Sequence, residues 1–557
     1  MEHDPVAELT AEAVSVAREA VRLGGDAHPN RLTHLFNLGK ALMYQGQTGS
    51  DPAALAAARE VLAQAASLPG GAAGGRIAAS RGWAEAAMRL GDFDGAEFAY
   101  RHGVDLLVEL AGSALAWTDR EHGIDEVGAL PCDAAAAAIA AGHPRAAMAL
   151  LEQSRGLLLA EALHTHIDVE AIARHAPELA ADFVRVSAEL RSIDLTEPRA
   201  GADIPAPTWV AQRRLALGEQ WRQIRERIRA IPGFEEFLRP PSPAAVGQAT
   251  AGGTAVIVNI SAWRCDALLV SGGDVESLPL PALTSADCLA WANRYLAAIQ
   301  GRRDAVAMMT DALADFRTSG DAEAGPRYQA ANLPDIAVSS YAPTLRALVT
   351  AHRARAIARP EPRLLVVAMP NTPGQAPLPN AARERDHLLA LFPPATVTVL
   401  SDAAATTGAV VDALADHRLV HFSCHGELVV RAPSESRLLF ADGSLTVAGV
   451  IAAQPQGEFA FLSACKTAAA GVTLLNETIT LAAALHYAGY RHVIATLWSV
   501  YDSVAADVAA WTYEQLTAGG QFDSACAARA LHGAVQRVRA AYADQPSVWT
   551  PFIHIGV

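Results

Sequence analysis

RLVHFSCHG, residues 418–426, starts as an apolar, β-prone run and ends in small and polar residues. Runs of the same kind recur at RLLVVAMP (363–370), ATVTVLSD (395–402), GEFAFLSACKT (457–467) and RHVIATLWSV (491–500). Segments with helical patterning lie between them, among them NAARERDHLLALF, TTGAVVDALADH and NETITLAAALHYAG. Strands that are apolar on both faces and alternate with helices predict an α/β domain with a mostly parallel sheet. In such sheets, reaction sites gather at the carboxyl ends of the strands.

Within the opening stretch, successive side chains leave a strand on opposite faces, so Cys424 and His425 diverge. Cys424 shares its face with Val420 and Phe422 and reads as a small buried hydrophobe. His421 and His425 share the other face, about 13 Å apart at about 3.3 Å per residue, too far for one metal ion. HGE (425–427) has half of the zinc-deaminase pattern, but the P-C-x-x-C half is absent. No metal and no other cofactor is expected.

A better partner for His425 lies forty residues on, where FAFLSACKTA ends an apolar strand in Ser-Ala-Cys465. A small residue before a cysteine, with a histidine about 50 residues upstream, is the caspase-type arrangement. Its chemistry is a thiolate attacking an amide carbonyl while an imidazole moves the proton. Gly426 has no Cβ, so its N–H can approach that carbonyl and act with the Cys465 N–H as an oxyanion hole. A buried, inert cysteine is the competing reading of Cys465.

The chain has 557 residues, 51% apolar and 18% charged, with a net charge of −15. That charge excludes a general nucleic-acid binder, which needs cations to displace counterions. No apolar stretch has the roughly 18 residues that suggest a bilayer span. The acidic MEHDPVAELT start lacks the features of a secretory signal, and six scattered cysteines make no disulfide framework. A cytoplasmic protein is expected. Residues 213–230 are locally basic, with Trp221, Ile224, Ile228 and Ile231 at helical spacing, and read as the solvated face of a linking helix.

Residues 30–165 read as paired helices with turns centred on Gly46, Gly91 and Gly142, 45 and 51 residues apart. The period exceeds the roughly 34 residues of an ideal tetratricopeptide repeat. Small residues at helix contacts and the GDFDGA turn nonetheless fit tetratricopeptide-like repeats, with an irregular helical bundle as the alternative. LRPPSPAAV stops the helical region. Two strands, Ala255–Ile260 and Cys265–Val270, then precede an SGGD turn.

From about residue 255 onward the chain resembles the CHAT domain, a caspase-like family found attached to tetratricopeptide repeats. The ordered blocks that carry the resemblance include ISAWRCDALLV, AVSSYAPTLRAL, PLPNAARERDHLLALF, VHFSCHG, SESRLLFADGSLTV, FLSACKTA, NETITLAAALHYAGYRHVIATLWSVYD and PSVWTPFIHIG. The resemblance implies a clan CD cysteine endopeptidase with His425 as general base, Cys465 as nucleophile and Gly426 in the oxyanion hole. It also implies a protein partner or regulator bound through the repeats, in bacterial defence or programmed death. Asp502 and Glu477 are candidate substrate-binding acids, each with a helix-start role as its alternative.

Three departures stand out: Lys466 after the nucleophile, Asn476 where an acid is usual, and a shortened segment over 309–335. The expected organisation is a multidomain chain: tetratricopeptide-like helical repeats over 1–195, a linker and connecting helix over 196–250, and a caspase-like domain over 251–557. Within the last, 251–350 is a shortened pseudo-caspase half and 360–557 the active half. A non-catalytic interaction scaffold with a protease-like fold is the functional alternative.

Overall fold

The structure is a computed structural model that describes residues 5–26, 28, 30–68, 73–111, 128–155, 172–196, 208–232, 234, 237, 239–250, 252–300, 337–353, 363–430, 432–453, 455, 457–469 and 479–557. These residues form two compact units. One gathers those of Met1–Leu158 and Arg185–Ser285, the other those of Leu159–Val184, Ala286–Thr473 and Glu477–Val557. Among the described residues, no helix is long and apolar enough to cross a membrane.

The first unit begins with helices α1 (Pro5–Gly24), α2 (Arg31–Thr48), α3 (Pro52–Ala66), α4 (Ala73–Arg89), α5 (Phe93–Ala111), α6 (Leu130–Ala140) and α7 (Pro144–Ser154). Each packs on the next. Local chemistry sets their ends. Asp51 caps α3 by accepting the Ala53 and Ala54 N–H groups, and Pro52 supplies a preset first turn. Gly91 (φ +75°) and Gly142 (φ +85°) take the left-handed conformation between α4 and α5 and between α6 and α7. These two are the expected turn glycines.

Gly46 is not a turn residue. It lies buried inside α2, and a Cβ there would sit 2.6 Å from Leu55 Cγ. A Cβ at Gly39, two turns earlier on the same face, would sit 2.4 Å from Leu62 Cγ. Both glycines let α2 and α3 approach closely over the core of Leu38, Leu42, Leu55 and Leu62. The left-handed residue of this hairpin is instead Ser50 (φ +46°).

The same unit holds an antiparallel sheet of β1 (Ala255–Ile260), β2 (Cys265–Ser271) and β3 (Asp274–Pro279). Gly272 and Gly273, both at positive φ, close the β2–β3 hairpin as the SGGD pattern predicts. Asn259 donates to the Cys132 carbonyl, Ser261 to Asp133 and Trp263 to the Tyr100 hydroxyl, which fastens the sheet to α5 and α6. The basic segment lies in the helix Thr208–Arg229, whose Trp221, Ile224 and Ile228 are buried as the spacing predicts, while Ile231 lies beyond the helix end and is half-buried.

The second unit is α/β. Its six-stranded sheet consists of β4 (Leu364–Ala368), β5 (Val397–Ser401), β6 (Leu419–Ser423), β10 (Phe459–Ser463), β11 (His492–Thr496) and β12 (Phe552–Gly556). The order across the sheet is β12-β11-β10-β6-β4-β5. All pairings are parallel except that of β12 at the edge. Every residue of β4, β6, β10 and β11 is buried, consistent with a sheet covered on both faces. A small antiparallel sheet of β7 (Gly426–Glu427), β8 (Arg437–Leu439) and β9 (Ser444–Thr446) follows β6.

Helices α8 (Pro379–Leu391), α9 (Thr407–Asp416), α10 (Leu481–Ala488), α11 (Asp502–Leu516) and α12 (Ala527–Ala541) surround the sheet. Leu364, Val366, Leu419, Phe459, Phe461 and Ile494 face the apolar sides of α8, α11 and α12 and form the main core. The chain runs from β4 outward to β5, then returns past β4 to β6 and continues through β10 and β11 to β12. The strand order therefore reverses between β4 and β6, which opens a crevice at their carboxyl ends.

Candidate active site

β6 and β10 are neighbouring parallel strands whose last pair in register is Ser423 with Ser463. Two residues further along each chain stand His425 and Cys465. Side chains alternate between faces, so the odd-numbered positions 419, 421 and 423 on β6 share a face with 459, 461 and 463 on β10. The histidine and the cysteine thus stand two residues beyond the ends of adjacent strands, in the bend and turn that follow them. Both are half-buried.

His425 Nε2 lies 2.8 Å from the carbonyl oxygen of Ala376, in the loop that leaves β4. A carbonyl can only accept, so Nε2 carries the proton and donates it, and in the neutral ring Nδ1 is left as the basic nitrogen. The loop is itself fixed. Met369 N–H donates to the Ser423 carbonyl (2.8 Å), Leu378 N–H closes on the Pro370 carbonyl (2.9 Å), and Gly374 turns at φ +74°. The bond spans the crevice between β4 and β6.

Gly426 touches the cysteine backbone. A Cβ at this position would meet the Cys465 carbonyl oxygen at 2.3 Å and the Cys465 nitrogen at 3.5 Å. The Leu439 N–H donates to the His425 carbonyl, and Gly426 pairs with Leu438. In this register Gly426 and Leu438 exchange no hydrogen bonds, so the Gly426 N–H points away from β8.

The segment around Cys465 is tied to the end of β11. The Thr496 hydroxyl donates to the Ala464 carbonyl (2.7 Å), its N–H donates to Thr467 Oγ1 (3.1 Å), and its carbonyl accepts from Ala468 N–H (2.8 Å). Lys466 adopts φ +62°, unusual for a residue with a Cβ, and sharpens the turn directly after the cysteine. Cys424 is buried, as its alternation with Val420 and Phe422 predicts. Burial first, then the neighbouring Cys465 and Glu384, pushes its thiol pKa up.

Asp502 is the first residue of α11. Its Oδ2 accepts both the Asn380 N–H (3.0 Å) and the Asn380 side-chain amide (2.7 Å), which joins α11 to the start of α8. Glu477, Asn476 and the 309–335 segment lie outside the described residues. The sequence did not single out Ala376, Thr467 or Thr496. Ala376 contributes only a carbonyl, for which no side-chain signal exists, and the threonines carry no catalytic pattern.

A parallel sheet that ends in a histidine and a cysteine on adjacent strands beside a strand-order reversal is a caspase-like α/β architecture. Residues 320–557 match the family model of the CHAT domain. Among solved structures, separase from the Saccharomyces cerevisiae separase-securin complex is similar at a TM-score of 0.33 and 8% identity, over 100% of this chain and 50% of that one. This chain thus spans half the length of that separase chain, and the likeness is too faint to carry a functional argument. Among curated proteins there is no match.

Proposed function

We propose that the CHAT domain is a cysteine endopeptidase with Cys465 as nucleophile and His425 as general base. The observation that carries this reading is the β6–β10 register, which sets the two residues on adjacent strand ends with Gly426 against the cysteine backbone. Nδ1 of His425 takes the thiol proton, and the sulfur forms a bond to the scissile carbonyl carbon. The negative charge moves to the carbonyl oxygen, between the N–H groups of Gly426 and Cys465. As the C–N bond breaks, the imidazolium gives its proton to the leaving amine. Water then attacks the thioester with the imidazole as base, the C–S bond breaks to release the new carboxyl terminus, and the imidazolium returns its proton to the Cys465 thiolate.

For Asp502 a third role is better supported than substrate binding or a cap on its own helix: it makes no cap bond in α11, and Asn380 at the start of α8 occupies one carboxylate oxygen. The helical unit, which also carries the β1–β3 sheet, is proposed to bind a protein partner or regulator on tetratricopeptide-like hairpins, with the α/β unit as the protease half. The test compares new protein N-termini in cells expressing the wild type or Cys465→Ala, under a condition that engages the repeats. Termini present only with the wild type are expected. Identical sets would favour a non-catalytic interaction scaffold.

A further inference from the structure

A buried acid sits directly beneath the two strand ends. Glu384, on α8, is 4% exposed. Its Oε1 accepts a hydrogen bond from Ser423 Oγ at 2.8 Å and another from Ser463 Oγ at 3.1 Å. These serines are the last register pair of β6 and β10. Each stands two residues before a member of the dyad, in Ser423-Cys424-His425 and Ser463-Ala464-Cys465.

The second carboxyl oxygen, Oε2, lies 3.0 Å from Nε2 of His421, a close contact without the alignment of a good hydrogen bond. The His421 ring is fully buried and held between Phe461 and Tyr513, with ring centroids 5.3 and 5.6 Å away. The acid is therefore fixed from below by packed rings and from above by two strands.

Burying a carboxyl group is expensive, and a well-packed apolar residue usually serves stability as well or better. The bonds made here go to the ends of the two strands that carry the dyad, and to the same oxygen atom. We propose that Glu384 is a positioning residue for the His425–Cys465 dyad, holding the two strand ends in register through Ser423 and Ser463. It touches neither substrate nor sulfur. The proposal rests on the dyad reading above, and its test separates the two.

The test follows alkylation of Cys465 by iodoacetamide, read by mass spectrometry of its peptide, alongside kcat and KM on a cleavable protein. The wild type should alkylate faster than His425→Ala. Glu384→Leu should fall to the His425→Ala rate and lose kcat by about 100-fold with KM little changed, the scale expected of a misplacement near 1 Å. Glu384→Gln keeps an oxygen that accepts both hydroxyls and should restore most of the rate. If Glu384→Leu does not fold, the Ser423→Ala/Ser463→Ala pair removes the two arms and should slow alkylation alike. Rates for these variants equal to the wild type, with His425→Ala slower, would overturn the clamp alone. Equal rates in the wild type and His425→Ala would overturn the dyad, and the clamp with it.

Discussion

At the scale of single residues, the tightest constraint in the site is Gly426. Any side chain there meets the Cys465 carbonyl oxygen at 2.3 Å, and that oxygen belongs to a backbone held by Thr496 on its far side. No flexible neighbour can yield. Gly426→Ala should therefore separate the strand ends, at a cost of about 1–3 kcal/mol in stability. Misplacing the dyad should lower kcat/KM by about 100-fold. Steady-state kinetics and thermal unfolding check both effects, and activity within threefold of the wild type would show that the contact is not limiting. The histidine, the glycine and the cysteine of the proposed site could be singled out in the sequence, since residue type and strand periodicity are local properties. Glu384 was not. In PLPNAARERDHLLALF it looks like one more charged residue on a helix, and only the packing of α8 over β6 and β10 buries it.

At the scale of elements, α11 and α8 are joined at their starts by Asp502 and Asn380. The backbone N–H bond of Asn380 survives Asn380→Ala and is lost only with Asp502. The Asn380 side-chain amide bond to the carboxylate should give a coupling of about 1–2 kcal/mol in a double-mutant cycle of Asp502→Ala and Asn380→Ala. Chemical denaturation of the four proteins measures it. Strictly additive losses would mean that the side-chain amide of Asn380 does not help to hold the two helices together. Helices and strands were largely readable from pattern: β1 begins and ends where its β-branched run does, and the β2–β3 hairpin follows from its two glycines. The exceptions have physical reasons. Gly46 was read as a turn because glycine breaks helices, whereas here it serves close packing against Leu55. The strands of the small sheet β7–β8–β9 have only two or three residues, too few to show a period.

At the scale of the whole molecule, the second unit contains histidines that are stable only when neutral. Burial lowers the His486 pKa to about 4, and burial together with His486 lowers the His554 pKa to about 3. The unfolded chain takes up these protons near pH 6.5, so it binds more protons than the fold at any pH between that value and about 4. Stability from this source is complete above pH 6.5. It falls with decreasing pH by up to about 1.4 kcal/mol per pH unit for each histidine, until each protonates in the fold. Denaturation midpoints at pH 7 and pH 5 should differ accordingly, and His554→Gln should reduce the difference. Midpoints independent of pH in the wild type would contradict the neutral burial of both rings.

By itself, the sequence determined that the chain has a helical part and an α/β part, and that His425 and Cys465 end apolar strands. Alternation, helix breakers and residue chemistry are written residue by residue. Only the tertiary structure decided that β6 and β10 are neighbours in the register that pairs Ser423 with Ser463. It also decided that the Ala376 carbonyl fixes the histidine tautomer and that Glu384 lies beneath both strand ends. Strand order and register arise from contacts between segments tens of residues apart, and no local pattern encodes which segments will meet.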